Sequence, residues 1–287
     1  MKRVFIVLIL SAFLVRAFSQ DTTQVQVGSK PVRNTFGTGI LIDNPTIGTP
    51  YKGGLEMEIR HRFSIIDNIH DIYGIYGAAN TRIGLSYGIT DRLMVGVGTT
   101  KDYQMQDIQW KYQIFQQTED NKMPVSLAYY GNIAADLRSK DNFGPGEFRS
   151  IHRLSYFTEF IVARKINDMF SVQVAPSLAY FNSVPTNADS TIAYKNLNLG
   201  LSAGVRANLF GSHSLILEYD QLLTKQDIAV QPKPNLAIGW EIGTGTHTFQ
   251  VFVTNYNQII YQRNLVFNTN DFTKGKYMVG FNITIRF

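Results

Sequence analysis

The chain has 287 residues, no cysteine, and a formal net charge of +5 from 27 basic and 22 acidic side chains. Without cysteine it cannot rest on disulfides, use a thiolate nucleophile or be anchored as an N-terminal lipoprotein. Its Lys and Arg residues are scattered singly and form no basic stripe with interleaved aromatics, which excludes nucleic acid as an expected partner.

The first 19 residues have the pattern of a secretory signal peptide. Lys2 and Arg3 precede the apolar run 4–10, and residues 17–19 supply the small side chains of a cleavage site. A transmembrane anchor is the alternative, but the run is shorter than the roughly 20 residues that a spanning helix needs. Cleavage after Ser19 would leave 24 basic and 22 acidic residues, a net charge of +2, in an exported bacterial protein.

Residues 20–50 form a separate segment that is rich in Gln, Thr, Gly and Pro. Within it, the run 36–42 is apolar enough to need a place away from water. Two placements are open at this point: a plug inside the lumen of the domain that follows, or a periplasmic extension.

Residues 51–287 repeat one unit, a segment of about ten residues with strict alternation of apolar and polar side chains, followed by a polar or glycine-rich break. Residues 55–63 are typical, because apolar and charged side chains occupy opposite faces that a helix would mix. Residues 83–89 and 93–99 form a predicted hairpin around the turn 90–92. Twelve such segments predict an all-β fold, an antiparallel up-and-down transmembrane β-barrel of twelve strands.

The connections between the segments alternate in length, as periplasmic turns and outer loops of such barrels do. One connection, 100–105, is shorter than this pattern asks. The alternative fold is a soluble β-sandwich, but a sandwich does not need aromatic residues at both ends of its strands. Here the aromatic residues are predicted to form two interfacial girdles, with Tyr87, Phe170, Phe210 and Phe287 at one end and Phe63, Tyr103, Tyr180, Tyr256 and Tyr277 at the other.

The same parity predicts which charged side chains face the lumen, and the two signs balance. Seven basic and seven acidic residues are expected there: Arg60, Arg62, Arg82, Lys111, Arg153, Arg206 and Arg286, with Glu56, Glu58, Asp107, Glu159, Glu218, Asp220 and Glu241. A lumen of one sign would indicate an ion-selective pore, whereas a balanced set favours a network of ion pairs that fills a narrow interior.

Glycines on the inward parity of two adjacent segments predict a wall that is nearly free of side chains: Gly84, Gly88, Gly96 and Gly98. We expect the arginines at 60, 62 and 82 to lie over this wall and to pair with Glu218 and Asp220 across the barrel. A charge introduced on the lipid face, as in Val97→Arg or Leu201→Arg, should be far more damaging than Gly98→Ser.

Three stretches, residues 60–63, 82–92 and 280–287, resemble an outer-membrane β-barrel family that is known only as a domain of unknown function. The resemblance covers about residues 36–287. It implies a barrel and implies no activity.

These observations favour a non-catalytic outer-membrane protein, either a porin-like conduit or a structural or partner-binding barrel. No cofactor is expected. The expected partners are outer-membrane lipids and the barrel-assembly machinery, for which the terminal Phe287 would be the assembly signal.

The alternative is an outer-membrane hydrolase in which His61 or His152 is the base for a nearby serine, Ser64 for the first and Ser150 or Ser155 for the second. A further cluster, Asp67, His70 and Asp71, has the residue types of a metal site, although spaced carboxylates in a loop are more often solvated turn formers.

Overall fold

The computed structural model describes residues 29–66, 74–144, 147–185 and 193–287. In this part of the chain, twelve antiparallel strands form one closed barrel, in which each strand pairs with its neighbours in sequence and the last pairs with the first. The predicted all-β, up-and-down barrel of twelve strands is confirmed. The predicted signal peptide, residues 1–19, lies outside the described residues.

A two-stranded hairpin, β1 (Ile40–Leu41) and β2 (Asn44–Pro45), precedes the barrel. The barrel strands are β3 (Leu55–Arg62), β4 (Asn80–Gly88), β5 (Leu93–Thr100), β6 (Met105–Phe115), β7 (Ser126–Asp136), β8 (Leu154–Lys165), β9 (Phe170–Phe181), β10 (Leu197–Phe210), β11 (His213–Leu222), β12 (Asn235–Gly243), β13 (His247–Thr254) and β14 (Met278–Arg286). A helix, α1 (Tyr261–Phe267), lies between β13 and β14. Short 3₁₀ turns occur at Asp102–Gln104, Lys140–Phe143, Ser150–Arg153 and Phe272–Lys274.

The two-residue alternation sorts the side chains of each strand between two environments. In β3 the charged residues at 56, 58, 60 and 62 are buried inside the ring, while Leu55, Met57 and Ile59 point outward. The pairing of β14 with β3, with Ile283 opposite Ile59, leaves no free strand edge. Closure matters because every backbone N–H and C=O in a membrane must find its partner within the protein.

The links between strands alternate in length around the ring. At one end, here called the short-link end, β10 and β11 are joined by only residues 211–212, and Gly211 takes the positive φ of 52° that this tight turn requires. At the other end, the long-link end, the links run to 23 residues between β13 and β14. The exception is the four-residue link 101–104 between β5 and β6.

No helix in the described residues is both long and apolar enough to cross a membrane. Helix α1 has seven residues, five of them buried inside the barrel.

Two residues assigned to the aromatic girdles are placed elsewhere: Tyr103 packs against the buried Met105, Ala134 and Ile260 at the long-link end, and Tyr256 enters the lumen. Tyr256 does not face outward; it is fully buried, and its hydroxyl donates to Glu218 Oε1 at 2.7 Å inside the ring. The alternation that predicts outward aromatics ends with β13, and the chain turns into the lumen directly after it.

Candidate functional site

The lumen is the candidate site, and the segment that enters it first is residues 36–48, called the plug hairpin below. It starts beside the short-link end, where Pro31 pairs with Thr118, and it reaches its turn at Ile42 and Asp43. Both turn residues are buried, and Ile42 takes a φ of 54°, a costly conformation for a β-branched side chain. Such strain persists only where the surrounding contacts hold it.

The plug hairpin's turn is held by charged and polar side chains from the barrel wall. Asp43 Oδ2 accepts from Arg62 NH2 at 2.7 Å, and its other oxygen lies 3.7 Å from Arg60 NH1. Glu218 Oε2 accepts from the backbone N–H groups of Asp43 and Asn44 at 2.9 and 2.8 Å. Asn44 Nδ2 donates to Asp220 Oδ1 at 2.6 Å. A turn whose amides point at a buried carboxylate is an anion-binding arrangement made within one chain.

The rest of the plug hairpin packs by shape and accepts hydrogen bonds from wall side chains, among them Gln173, Gln250 and Lys111. A Cβ at Gly204 would lie 2.6 Å from Leu41 Cδ2, so the wall is bare where the plug's leucine fits. Lys111 Nζ donates to Gly39 O at 3.0 Å and to Thr46 O at 2.8 Å, which ties the two arms of the hairpin together.

Helix α1 fills the lumen from the long-link end. Arg60 NH2 donates to the Tyr261 hydroxyl at 2.8 Å, and Gln262 Nε2 donates to Ser155 Oγ at 3.0 Å. Leu265 covers Gly200, where a Cβ would lie 2.5 Å from its Cδ2. Between the helix and the plug hairpin remains a cavity of about 10 Å³, bordered by Glu58, Lys111 and Tyr261 among others. That volume is about one water molecule, so the plug hairpin and helix α1 leave no room for a solute between them.

The predicted ion-pair residues meet in three groups along the wall. Arg82 binds Asp107 through two nitrogens at 3.0 and 2.7 Å and lies 3.3 Å from Glu58, which also binds Arg60 at 2.7 Å. The other two groups are single pairs, Arg206 with Glu241 at 2.7 Å and Arg286 with Glu56 at 3.1 Å. The Arg82 guanidinium lies over Gly84 and Gly98, as the bare wall predicted.

Several of the predicted pairings and positions in the lumen are wrong. Glu218 and Asp220 bind the plug hairpin and Tyr256 rather than arginines. Arg153 is not in the lumen; it lies at the long-link rim and donates to the carbonyls of Asp136 and Arg138 at 2.6 Å each. Gly88 faces the backbone of residues 50 and 51, and Gly96 faces Ser86 and Gln109, so neither glycine lies under a guanidinium.

Two acidic residues inside the barrel depart from the predicted ion-pair network. Neither carboxylate oxygen of Glu159 has a hydrogen-bond donor among the described residues, although the side chain is buried. Asp43 was not among the predicted lumen residues, because it precedes the first strand. Its signal was a lone acid directly after the apolar run 36–42. With Arg153 removed from the predicted set and Asp43 added to it, the set has six basic and eight acidic residues.

The candidate catalytic histidines have other partners. His61 Nδ1 lies 2.7 Å from Thr81 Oγ1, and the imidazole stacks on Phe281 on the outer surface of the barrel. His152 Nδ1 accepts from the Arg149 backbone N–H at 3.3 Å. Ser64 and Ser155 donate to the carbonyls of Gly74 and Ala134. No serine is therefore hydrogen-bonded to either histidine in the described part of the chain.

The metal candidates at 67, 70 and 71 lie outside the described residues. Among the residues that the structure describes, no three His, Cys, Asp or Glu side chains are grouped as metal ligands would be.

Solved barrels share the fold at low sequence identity. The NanC porin is 10% identical, with a TM-score of 0.51, and the match covers 81% of this chain and 98% of that chain. The KdgM porin is 8% identical, with a TM-score of 0.50 and coverage of 81% and 99%. The outer membrane phospholipase A from Escherichia coli is 12% identical, with coverage of 88% and 98% and a TM-score of 0.43. At these identities the likeness to the two porins shows the fold alone.

No curated protein matches the chain in sequence. The sequence pattern of a family described as a membrane bound beta barrel domain (DUF5777) matches residues 36–287, which include the plug hairpin and every barrel strand. The chain therefore belongs to this family of membrane β-barrels.

Proposed function

We propose that the chain is a non-catalytic outer-membrane β-barrel of a Gram-negative bacterium whose lumen is closed at rest by the plug hairpin and helix α1. The observation that carries this proposal is the turn at Asp43, which binds charged wall residues in the middle of the lumen. A barrel closed in this way is a structural or partner-binding component, and it is a porin-like conduit only when the plug hairpin leaves.

The contacts of the plug hairpin support the proposal that it can leave the lumen while the barrel stays folded. When it leaves, Arg82 keeps Asp107, Arg60 keeps Glu58, and the strand pairing of the ring is unchanged. The wall residues that lose a charge-assisted partner in the plug hairpin are Arg62, Lys111, Glu218, Asp220 and Arg286, and water entering the lumen can replace those partners. The wall can therefore remain folded around an open lumen.

Planar-bilayer conductance tests the proposal. We expect no steady conductance from the wild-type protein and open events from Asp43→Ala combined with Asn44→Ala, because these changes remove Asp43's ion pair with Arg62 and Asn44's side-chain bond to Asp220. The matched control is Asn142→Ala combined with Asp141→Ala in the exposed 3₁₀ turn at the long-link end, which should behave as wild type. A wild-type protein that conducts steadily, at the level of the plug variant, would show that the lumen is open at rest.

A further inference from the structure

A second candidate site lies on the outside of the barrel, at the short link 101–104 between β5 and β6. Each of the other links at the long-link end spans twelve residues or more, so the rim of the barrel is lowest at the link 101–104. Below the link, the outer surface carries a groove of about 440 Å³. Its walls are formed by Thr81, Ile83, Thr99, Lys101, Gln104 and Gln106.

The groove lies where the outward side chains change from apolar to polar. Along β4, β5 and β6 the outward residues Leu85, Val97 and Ile108 are exposed hydrophobics. At the next outward positions toward the long-link end, β5 presents Thr99 and β6 presents Gln106, which are opposite each other in register. One end of the groove is therefore suited to acyl chains and the other to the headgroup region.

The polar end of the groove has hydrogen-bond donors that its internal bonds do not use. Thr99 Oγ1 accepts from Gln106 Nε2 at 2.7 Å, which leaves the Thr99 hydroxyl hydrogen and the second N–H of Gln106 unused by this bond. Lys101 Nζ donates to Ala79 O at 2.6 Å and keeps two further N–H groups. None of the lining residues in the described chain carries a carboxylate, and Asp102 is not among them.

The link that closes the groove is held in an unusual conformation by cations. Tyr103 and Gln104 both have positive φ, 60° and 49°, which is uncommon for consecutive residues other than glycine. The Tyr103 ring lies between the guanidinium groups of Arg263, at 3.6 Å, and Arg138, at 4.3 Å. Arg138 is paired with Asp136, and Arg263 Nε donates to the neutral Gln258 Oε1 at 3.3 Å. At this rim Lys101, Arg138 and Arg263 face Asp102 and Asp136, which leaves a net charge of +1.

We infer that the groove binds the phosphate headgroup of an outer-leaflet glycolipid, with Lys101, Thr99 and Gln106 as donors and an acyl chain against Ile83, Leu85 and Val97. A membrane presents anionic charge at this depth as lipid phosphate, and an ammonium group with neutral donors matches it. The inference rests on the proposed outer-membrane location, with the long-link end facing out.

The test is native mass spectrometry of the purified full-length barrel after incubation with phosphatidylcholine micelles that contain a phosphorylated lipid A or its dephosphorylated form. We expect the wild type to retain the phosphorylated lipid, and Lys101→Ala with Thr99→Val to weaken retention by about tenfold or more. Lys140→Ala, which removes an exposed lysine from a different link at the long-link end, is the matched control and should retain the lipid as wild type does.

Thr99→Val alone keeps the shape of the groove and removes one donor, so it should reduce lipid retention less than the double variant does. Heat-modifiable electrophoresis verifies that each variant is folded. Equal retention of the dephosphorylated lipid, or equal retention by the double variant, would overturn the inference, as would complete displacement of the lipid by inorganic phosphate. Lipid retention does not depend on lumen conductance, so a conducting wild type leaves this result intact. Cell fractionation tests the proposed location independently: absence of the protein from the outer-membrane fraction would overturn the proposed outer-membrane location.

Discussion

Val97 and Gly98 are neighbours in β5 with opposite surroundings. The Val97 side chain is 54% exposed on the outer face of the barrel. Gly98 faces inward, and a Cβ there would overlap the Arg82 guanidinium and lie 2.6 Å from Asp107 Oδ1. The sequence predicted that Gly98→Ser would be mild, but the inner face at this position is occupied by a buried ion pair.

We therefore expect both substitutions to destabilise the barrel. Val97→Arg should cost about 2–4 kcal/mol because it places a charge in the hydrocarbon region. Gly98→Ser should cost about 3–5 kcal/mol if the added side chain separates Arg82 from Asp107 and leaves buried charges unpaired. Urea unfolding in lipid vesicles measures both changes.

The matched control for these two variants is Gly245→Ser in the short link between β12 and β13, where a Cβ meets nothing within 4 Å. It should change the free energy of unfolding by less than about 0.5 kcal/mol. If Gly98→Ser were as mild as this control, the space over Gly98 would be free and the Arg82 position would be wrong.

Among the elements, the plug hairpin depends on β11 more than on any other strand, because Glu218 and Asp220 both bind its turn. Glu218 and Glu159 are both buried carboxylates in the wall, yet their surroundings differ. Glu218 accepts from two backbone N–H groups and the Tyr256 hydroxyl, whereas Glu159 has no donor among the described residues. This contrast makes a direct test of how the plug hairpin is held.

Glu218→Leu should destabilise the barrel and loosen the plug hairpin, since each buried donor left without an acceptor costs about 1–3 kcal/mol. Glu159→Leu should be neutral or stabilising, because it replaces a buried carboxyl group that has no hydrogen-bond donor by an apolar side chain of similar volume. Unfolding midpoints in urea and bilayer conductance report the two effects. Open events in Glu159→Leu but not in Glu218→Leu would contradict the assignment of Glu218 as the plug's acceptor.

At the scale of the whole molecule, an even number of strands brings the start of the first barrel strand and the end of the last one to the same end of the barrel. Arg286 and Leu55 lie together at the short-link end, where the Phe287 backbone N–H donates to Leu55 O. The Phe287 ring is 64% exposed there. Its role as an assembly signal stays a prediction.

We expect the short-link end to face the periplasm and the long-link end to face outward. The chain has no cysteine, so a single introduced cysteine gives a unique label. In intact cells, a membrane-impermeant maleimide should label Lys274→Cys in the link between β13 and β14 and should not label Gly245→Cys. Permeabilised cells should label both sites, which serves as the control. The reverse pattern would invert the topology.

Sequence alone determined the number of strands, their inward and outward faces, and most of the charged residues that line the lumen. These features follow from the two-residue period, which is local and survives in any strand of a closed sheet. Only the tertiary structure decided which charges meet. The positions of Asp43, Tyr256 and Arg153 were beyond the pattern, because each belongs to a segment where the alternation has ended or not begun. The plug hairpin's placement was likewise undetermined. An apolar run indicates that the segment must be buried, but it does not indicate which surface buries it. The gap at Gly204 that accepts Leu41, and the amides that meet Glu218, exist only once the ring has closed around them.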